Sequence, residues 1–284
     1  SGNLIFLLVG FFNGISVGAG VVIARFFGAH DHRRVHLSIH TTVALGIVCG
    51  IVLTILGVVF APKILILMGT PQDVLPNSII YFRVYFMGSL AFVLYNAFTG
   101  ILQALGDSKH PLYYLIISSV INVVLDVVFI TVFDMGVGGA ALATIISQIV
   151  SAVLCFMHLI KLPAYPLKVQ QIRFDLPMLK LVIQNGLPAG IQNSIIALAN
   201  VVVQSYINSF GQMAVAGCGA YSKIEGFGFL PITCFALAMT TFVSQNIGAK
   251  KYERVKKGTR FGIICSLVLA QIIGMIIFIG APFL

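Results

Sequence analysis

The chain has 284 residues, of which 59% are hydrophobic and 9% charged, with a mean hydropathy of +1.04 and a formal net charge of +9. A water-soluble globule cannot hide that much apolar surface, so the composition is that of a polytopic membrane protein. The cysteines, Cys49, Cys155, Cys218, Cys234 and Cys265, have no paired spacing, which excludes a disulfide framework and a cysteine metal cluster.

In chain order, apolar stretches run over Leu4 to Phe27, Thr41 to Phe60, Ser78 to Ala104, Tyr113 to Phe133, Val137 to Ile160, Gly186 to Ile207, Phe227 to Ile247 and Phe261 to Ile279. Each has about the 20 residues that a helix needs to cross a bilayer. The alternation of a transmembrane barrel is absent, so the spans are read as helices. With eight spans, all basic residues except Lys63, Arg83 and Lys223 fall into loops on one side. Lys and Arg collect in cytoplasmic loops, so that side is read as the cytoplasm. The charge of +9 is this bias summed, and no nucleic-acid partner is expected.

Gly28 to Pro62 recurs 220 residues later as Gly248 to Pro282: Gly28-Ala29 returns as Gly248-Ala249, Arg34-Val35 as Arg254-Val255, and Ala61-Pro62 as Ala281-Pro282. The shared layout is an apolar span, a Gly-Ala turn, a basic cluster and a second apolar span. It pairs the first span with the seventh and the second with the eighth, so two repeats of six helices run parallel across the membrane. The longest polar connection, KLPAYPLKVQQIRFDLPMLK at Lys161 to Lys180, marks the lobe boundary. The expected division is a first lobe at 1–160, a connection at 161–185 and a second lobe at 186–284. A separate amphipathic helix is expected in the connection from Ile172, Leu176, Leu179, Val182 and Ile183. On this reading the chain is a piece of a longer protein, lacking one helix at its start and about three at its end. Gly14-x3-Gly18 and Gly46-x3-Gly50 suit close helix packing, and Pro188 and Pro231 suggest bends.

Of the acidic residues, only Asp126 lies deep within a span. An ionisable group at that depth is a functional candidate. Asn122 precedes it by one helical turn, and Thr144 sits at the same depth in the next span. A carboxylate, an amide and a hydroxyl suit sodium as oxygen ligands, and equally suit a proton. The bland alternative is a hydrogen bond between Asn122 and Asp126 that merely joins helices. Asn193, Asn200 and Gln204 form one polar stripe in the sixth span, read either as cavity wall or as helix-to-helix bonding. Asn96 and Thr99 make a weaker pair in the third. Glu225 is read as an interfacial carboxylate beside Lys223. His30, His32, His36 and His40 crowd the first loop as interfacial histidines in preference to a metal site.

These residues resemble the multidrug and toxic compound extrusion (MATE) transporters. The resemblance is carried by GISVGAGVVIARFFGAHDHRR (Gly14 to Arg34), ILQALGDSKHPLYY (Ile101 to Tyr114), INVVLDVVF (Ile121 to Phe129) and MGVGGAALATIISQ (Met135 to Gln148). GLPAGIQNS (Gly186 to Ser194), SKIEGFGFLP (Ser222 to Pro231) and FVSQNIGAKKYERVKKG (Phe242 to Gly258) complete it. It implies an all-α polytopic fold with two parallel six-helix repeats, of which this chain holds helices 2 to 9 of 12. It also implies a monomeric antiporter in the plasma membrane that exports cationic or amphipathic organic compounds, without a cofactor, in exchange for H+ or Na+. Asn122, Asp126 and Thr144 match the family's cation site, and Asn96 and Thr99 match its cavity-lining helix. The sixth span has no acidic residue, which is similar to the DinF branch and unlike the NorM branch. A lipid-linked oligosaccharide flippase of the same superfamily is the alternative. An enzyme would need several convergent catalytic groups near an interface, and these spans offer one buried carboxylate.

Overall fold

A computed structural model describes residues 2–67 and 75–280, with backbone alone for 2–9, 11, 64, 67, 77, 212, 216, 220, 223, 224 and 227. The described residues form helices α1 (Gly2–Gly28), α2 (His32–Leu67), α3 (Leu75–Met87), α4 (Ser89–Ala104), α5 (Lys109–Val127), α6 (Gly136–Ile160), α7 (Leu176–Ser209), α8 (Gln212–Gly248) and α9 (Tyr252–Gly280). A π-turn at Val128–Val132 follows α5, a 3-10 turn at Val169–Gln171 precedes α7, and no strand occurs among the described residues. The eight apolar stretches fall on helix except at Gly88 and Phe133, and among the described residues six helices are long and apolar enough to cross a membrane, or seven with the bent pair at 78–104 taken as one span. Large apolar side chains face outward along them, such as Ile116, Val120, Val123 and Val127 on α5, as lipid-facing surfaces require.

Each repeat ends its first helix with the same turn. His30 N–H donates to Phe27 O at 3.1 Å and Asp31 N–H to Phe26 O at 3.1 Å; in the second copy Lys250 N–H donates to Ile247 O at 3.0 Å and Lys251 N–H to Asn246 O at 2.9 Å. This pair of bonds closes a helix through a left-handed residue, here His30 at φ 55° and Lys250 at φ 56°. The expected Gly-Ala turn is therefore corrected, because Gly28 and Gly248 are the last helical residues of α1 and α8. They are glycines because a Cβ on either would strike backbone: Gln245 in the first case and Arg25 in the second. The closing Ala281-Pro282 lies outside the described residues.

By internal contacts the chain falls into two compact units, Ser1–Ile23 with His32–Ala197 and Ala24–Asp31 with Leu198–Leu284. In the first, glycines bring α1 and α7 to backbone contact, Gly14 against Gly190 and Gly18 against Gly186. The same device seats α2 on α3 and α4, where Gly50 meets Leu90 and Gly57 meets the Phe86 ring. Around it Leu53, Ala61, Leu65, Phe82, Phe86 and Val93 form a buried core. The third span is broken, with Ser78–Met87 and Ser89–Ala104 meeting at 46°. Gly88 sits at the break, and a Cβ there would lie 2.6 Å from Ile145 of α6. Pro188 and Pro231, where bends are expected, lie inside α7 and α8.

The 161–175 connection is extended apart from its one 3-10 turn, and the amphipathic helix expected over 172–183 is helical from Leu176 onward, continuous with α7. Asp175 sets that start, its Oδ1 accepting the Met178 N–H at 3.1 Å as a helix N-cap. The connection is tied to the first turns of α2. Tyr165 OH pairs with His32 Nδ1 at 2.6 Å, Lys168 N–H donates to His40 Nε2 at 3.2 Å, and Asp175 N–H donates to Thr41 Oγ1 at 3.2 Å. Ser38 Oγ adds a contact to Met178 Sδ at 3.2 Å. His32, His36 and His40 thus belong to a helix and not to a loop. One turn apart, they line the face that meets the connection. Because Nε2 of His40 accepts, its proton sits on Nδ1 and reaches His36 O at 2.8 Å.

Candidate cation-binding site

α5 holds few fully buried residues, Pro111 and Ser118, and its polar pair Asn122 and Asp126 is half-buried. Spacing of four places both on one face. Asp126 Oδ1 and Asn122 Nδ2 are each shut off from solvent without a hydrogen-bond partner. No hydrogen bond joins Asn122 Nδ2 to Asp126 Oδ1. Two residues beyond Asp126 the helix widens into the π-turn, with Phe133 N–H reaching back five residues to Val128 O at 3.2 Å. Such single π-turns recur at functional sites, because the extra residue redirects the faces on either side.

On α6, Thr144 Oγ1 donates to Ala140 O at 3.0 Å, which leaves its lone pairs free to face a ligand. It lines a cavity of about 10 Å³, the size of one water, with Tyr85, Gly88, Ser89, Phe92, Ile145 and Gln148. Thr144 thus faces the bend at Gly88, and Asn122 and Asp126 are not among the residues of that wall. Gln148, one turn beyond Thr144, has its Oε1 buried and unpartnered. It repeats on α6 the i, i+4 pairing of Asn122 with Asp126, and that spacing was the signal by which it could have been found.

The hydroxyl of Thr99 is buried beside Tyr95 and Cys155 without a hydrogen bond of good geometry, while Asn96 Nδ2 donates to Phe92 O at 2.8 Å within its own helix. Thr42 of α2 also carries an unpartnered buried hydroxyl, beside a second cavity of about 10 Å³ lined by Ser16, Cys49 and Val93 among others. Asn193 Nδ2 donates across to Gly10 O of α1 at 3.1 Å, as a helix-joining residue does. Asn200 is exposed, and Gln204 Nε2 donates to Asn208 Oδ1 at 3.0 Å on an exposed face. Glu225 lies 3.5 Å from the Tyr221 hydroxyl; the side chain of Lys223, its expected partner, lies outside the described residues.

Unpartnered buried polar atoms are rare because each costs about 1–3 kcal/mol. Among the described residues they occur on α2, α4, α5 and α6. The Asn122 amide presents oxygen or nitrogen by a half-turn of its group. Asp126 Oδ1 and the Asn122 amide therefore offer oxygens to a hard cation, and the carboxylate offers one to a proton.

Comparison with known proteins identifies the family of the chain. The chain is 32% identical over 285 aligned positions to a probable multidrug resistance protein, YoeA, of Bacillus subtilis, covering 97% of this chain and 61% of the relative. To a probable multidrug resistance protein, NorM, of Thermotoga maritima it is 28% identical, covering 93% of this chain and 58% of the relative. The chain thus spans about three fifths of the length of the curated relatives it matches. A crystal structure of a MATE protein in its bent conformation shares the fold at a TM-score of 0.90 and 24% identity, over 98% of this chain and 63% of that one. The MatE family model matches residues 1–128 and 188–284. With that match across both parallel repeats, the chain belongs to the MatE family, as a multi-pass membrane protein.

Proposed function

We propose that the chain is the helix 2 to 9 portion of a secondary antiporter, not an enzyme, that exports cationic or amphipathic organic compounds from the cell in exchange for H+ or Na+. The observation that carries this reading is the buried, unpartnered Asp126 carboxylate oxygen one turn from an unpartnered Asn122 amide. A coupling cation at Asp126 would shift the balance between outward-open and inward-open states only by its differential affinity for the two. Exchange further requires that bound drug and bound cation weaken one another, by equal factors. The family match and the relatives' names support export of drugs as the direction of work. α7 carries no acidic residue, which favours coupling through the first repeat and the DinF-like reading. Basic residues lie almost wholly in the loops, Arg83 being the one well inside a marked span, which speaks against a flippase for a pyrophosphate-linked cargo. The protein acts as a monomer in the plasma membrane on this reading.

The test is efflux of a fluorescent organic cation from proteoliposomes holding the full-length protein, driven separately by a pH gradient and by a sodium gradient. One gradient should drive export, and Asp126→Asn should abolish it while the protein still folds. Undiminished export by Asp126→Asn would overturn the site; failure of both gradients with the unaltered protein would overturn the antiporter.

A further inference from the structure

A second polar cluster lies on the basic side of the chain, apart from Asp126. Asp107, between α4 and α5, is held by its own N–H to Leu102 O at 2.9 Å and by His110 N–H to its Oδ1 at 3.2 Å. Its other oxygen, Oδ2, meets two imidazoles from different helices, His110 Nδ1 of α5 at 2.7 Å and His158 Nε2 of α6 at 3.0 Å. One ligand atom from each of the three side chains lies within 4.8 Å of the others. Burial raises the Asp107 carboxyl, but the hydrogen bonds from the His110 backbone and ring and from His158 outweigh it and hold the group below its ordinary value. The carboxylate is therefore ionised at neutral pH.

We propose that Asp107, His110 and His158 form a binding site for a divalent transition-metal ion of the zinc class, with solvent completing the coordination. Two imidazoles and one carboxylate suit Zn²⁺, Co²⁺ or Ni²⁺, whereas Mg²⁺ and Ca²⁺ demand oxygens throughout. Bonds of about 2.0–2.1 Å in a tetrahedron put ligand atoms roughly 3.3 Å apart. The contacts of 2.7 and 3.0 Å need open by only a few tenths of an ångström to admit the ion. One movement is larger. The two rings are stacked, with centroids 4.1 Å apart and planes 28° from parallel, so both nitrogens cannot aim at one ion until one ring turns. His110 is free to turn, its side chain being 48% exposed, while His158 at 20% and Asp107 at 24% stay fixed. On binding, each neutral imidazole carries its proton on the nitrogen away from the metal, and the Oδ2 hydrogen bonds give way to metal bonds. Tyr114, with its ring 6.0 Å from that of His158 and 6.3 Å from that of His110, covers one side.

The test is Co²⁺ titration of the intact protein, purified in detergent without a histidine tag and stripped by chelator, followed by visible absorption of the tetrahedral ion. One Co²⁺ per chain should bind, Zn²⁺ should displace it, and His158→Gln and His110→Gln should each lose the band. His32→Gln and His36→Gln, in the other histidine group, should keep it. Folding of each variant is read from elution and helical circular dichroism. If the unaltered protein gives no tetrahedral cobalt band, or if the folded His158→Gln and His110→Gln variants keep it, the site does not exist.

Discussion

Gly28 and Gln245 are in backbone contact, and adding the 220-residue repeat offset to one side and removing it from the other gives the contact of Gly248 with Arg25. The two turns thus meet through a self-complementary pair of backbone contacts. A methyl group at Gly28 or Gly248 would strike main chain, which has no rotamer to yield. Gly28→Ala and Gly248→Ala should each destabilise the protein by about 1–3 kcal/mol. The two should be alike, and the double variant should lose less than their sum because both act on one contact. Melting temperatures in detergent are the measurement, and an unchanged Gly28→Ala would contradict the contact.

The turns that follow these glycines carry non-glycine residues in left-handed conformation, His30 at φ 55° and Lys250 at φ 56°. A Cβ there is strained, while glycine loses more chain entropy on folding. Lys250→Gly should raise stability by up to about 1 kcal/mol net. His30→Gly should do the same. Thermal unfolding of both variants checks the sign, and clear destabilisation by both would show that the side chains, not the turn, decide.

Tyr165 ties the connection to α2 through His32. Burial pushes its phenol above its ordinary value of 10.0. A raised acid contributes stability that is full below its unfolded value and is lost as pH rises through the folded one. Tyr165→Phe should cost about 1 kcal/mol at neutral pH, the worth of one hydrogen bond. It should also remove part of the alkaline fall that the unaltered protein shows above about pH 10. Stability against pH for the two proteins, with hydrogen exchange at 162–171, measures both effects.

What could be read along the chain was what depends on runs and offsets. Eight apolar spans, the parallel repeat and the pair Asn122 and Asp126 all follow from spacing within a helix or between equal segments. The features that escaped depend on what stands opposite. Gly88 bends its span against Ile145 of α6, whereas Pro188 and Pro231, the stronger local signals, sit inside α7 and α8. Gly28 and Gly248 suggested a turn because glycine serves turns and close approaches alike, and only the neighbour decides which. Asp175 ends the connection and starts α7 by capping Met178, a signal that the apolar periodicity of 172–183 concealed. His158 stands 51 residues from Asp107, and no local pattern joins them.

The unpartnered atoms make a final prediction about the conflict between stability and work. Gln148 Oε1 and Asp126 Oδ1 are buried without hydrogen-bond partners among the protein's own groups. Each costs about 1–3 kcal/mol in that state. Gln148→Leu and Asp126→Leu should therefore leave stability unchanged or raise it in cation-free buffer, although polar-to-apolar changes at a working site should lower transport. The coupling cation should reverse the order. A ligand bound by the folded state alone adds about 2.7 kcal/mol at a hundred times its dissociation constant. Added sodium should raise the melting temperature of the unaltered protein and leave Asp126→Leu unmoved. If both proteins respond alike, the cation is bound elsewhere and the buried oxygen of Asp126 has a purely structural cost.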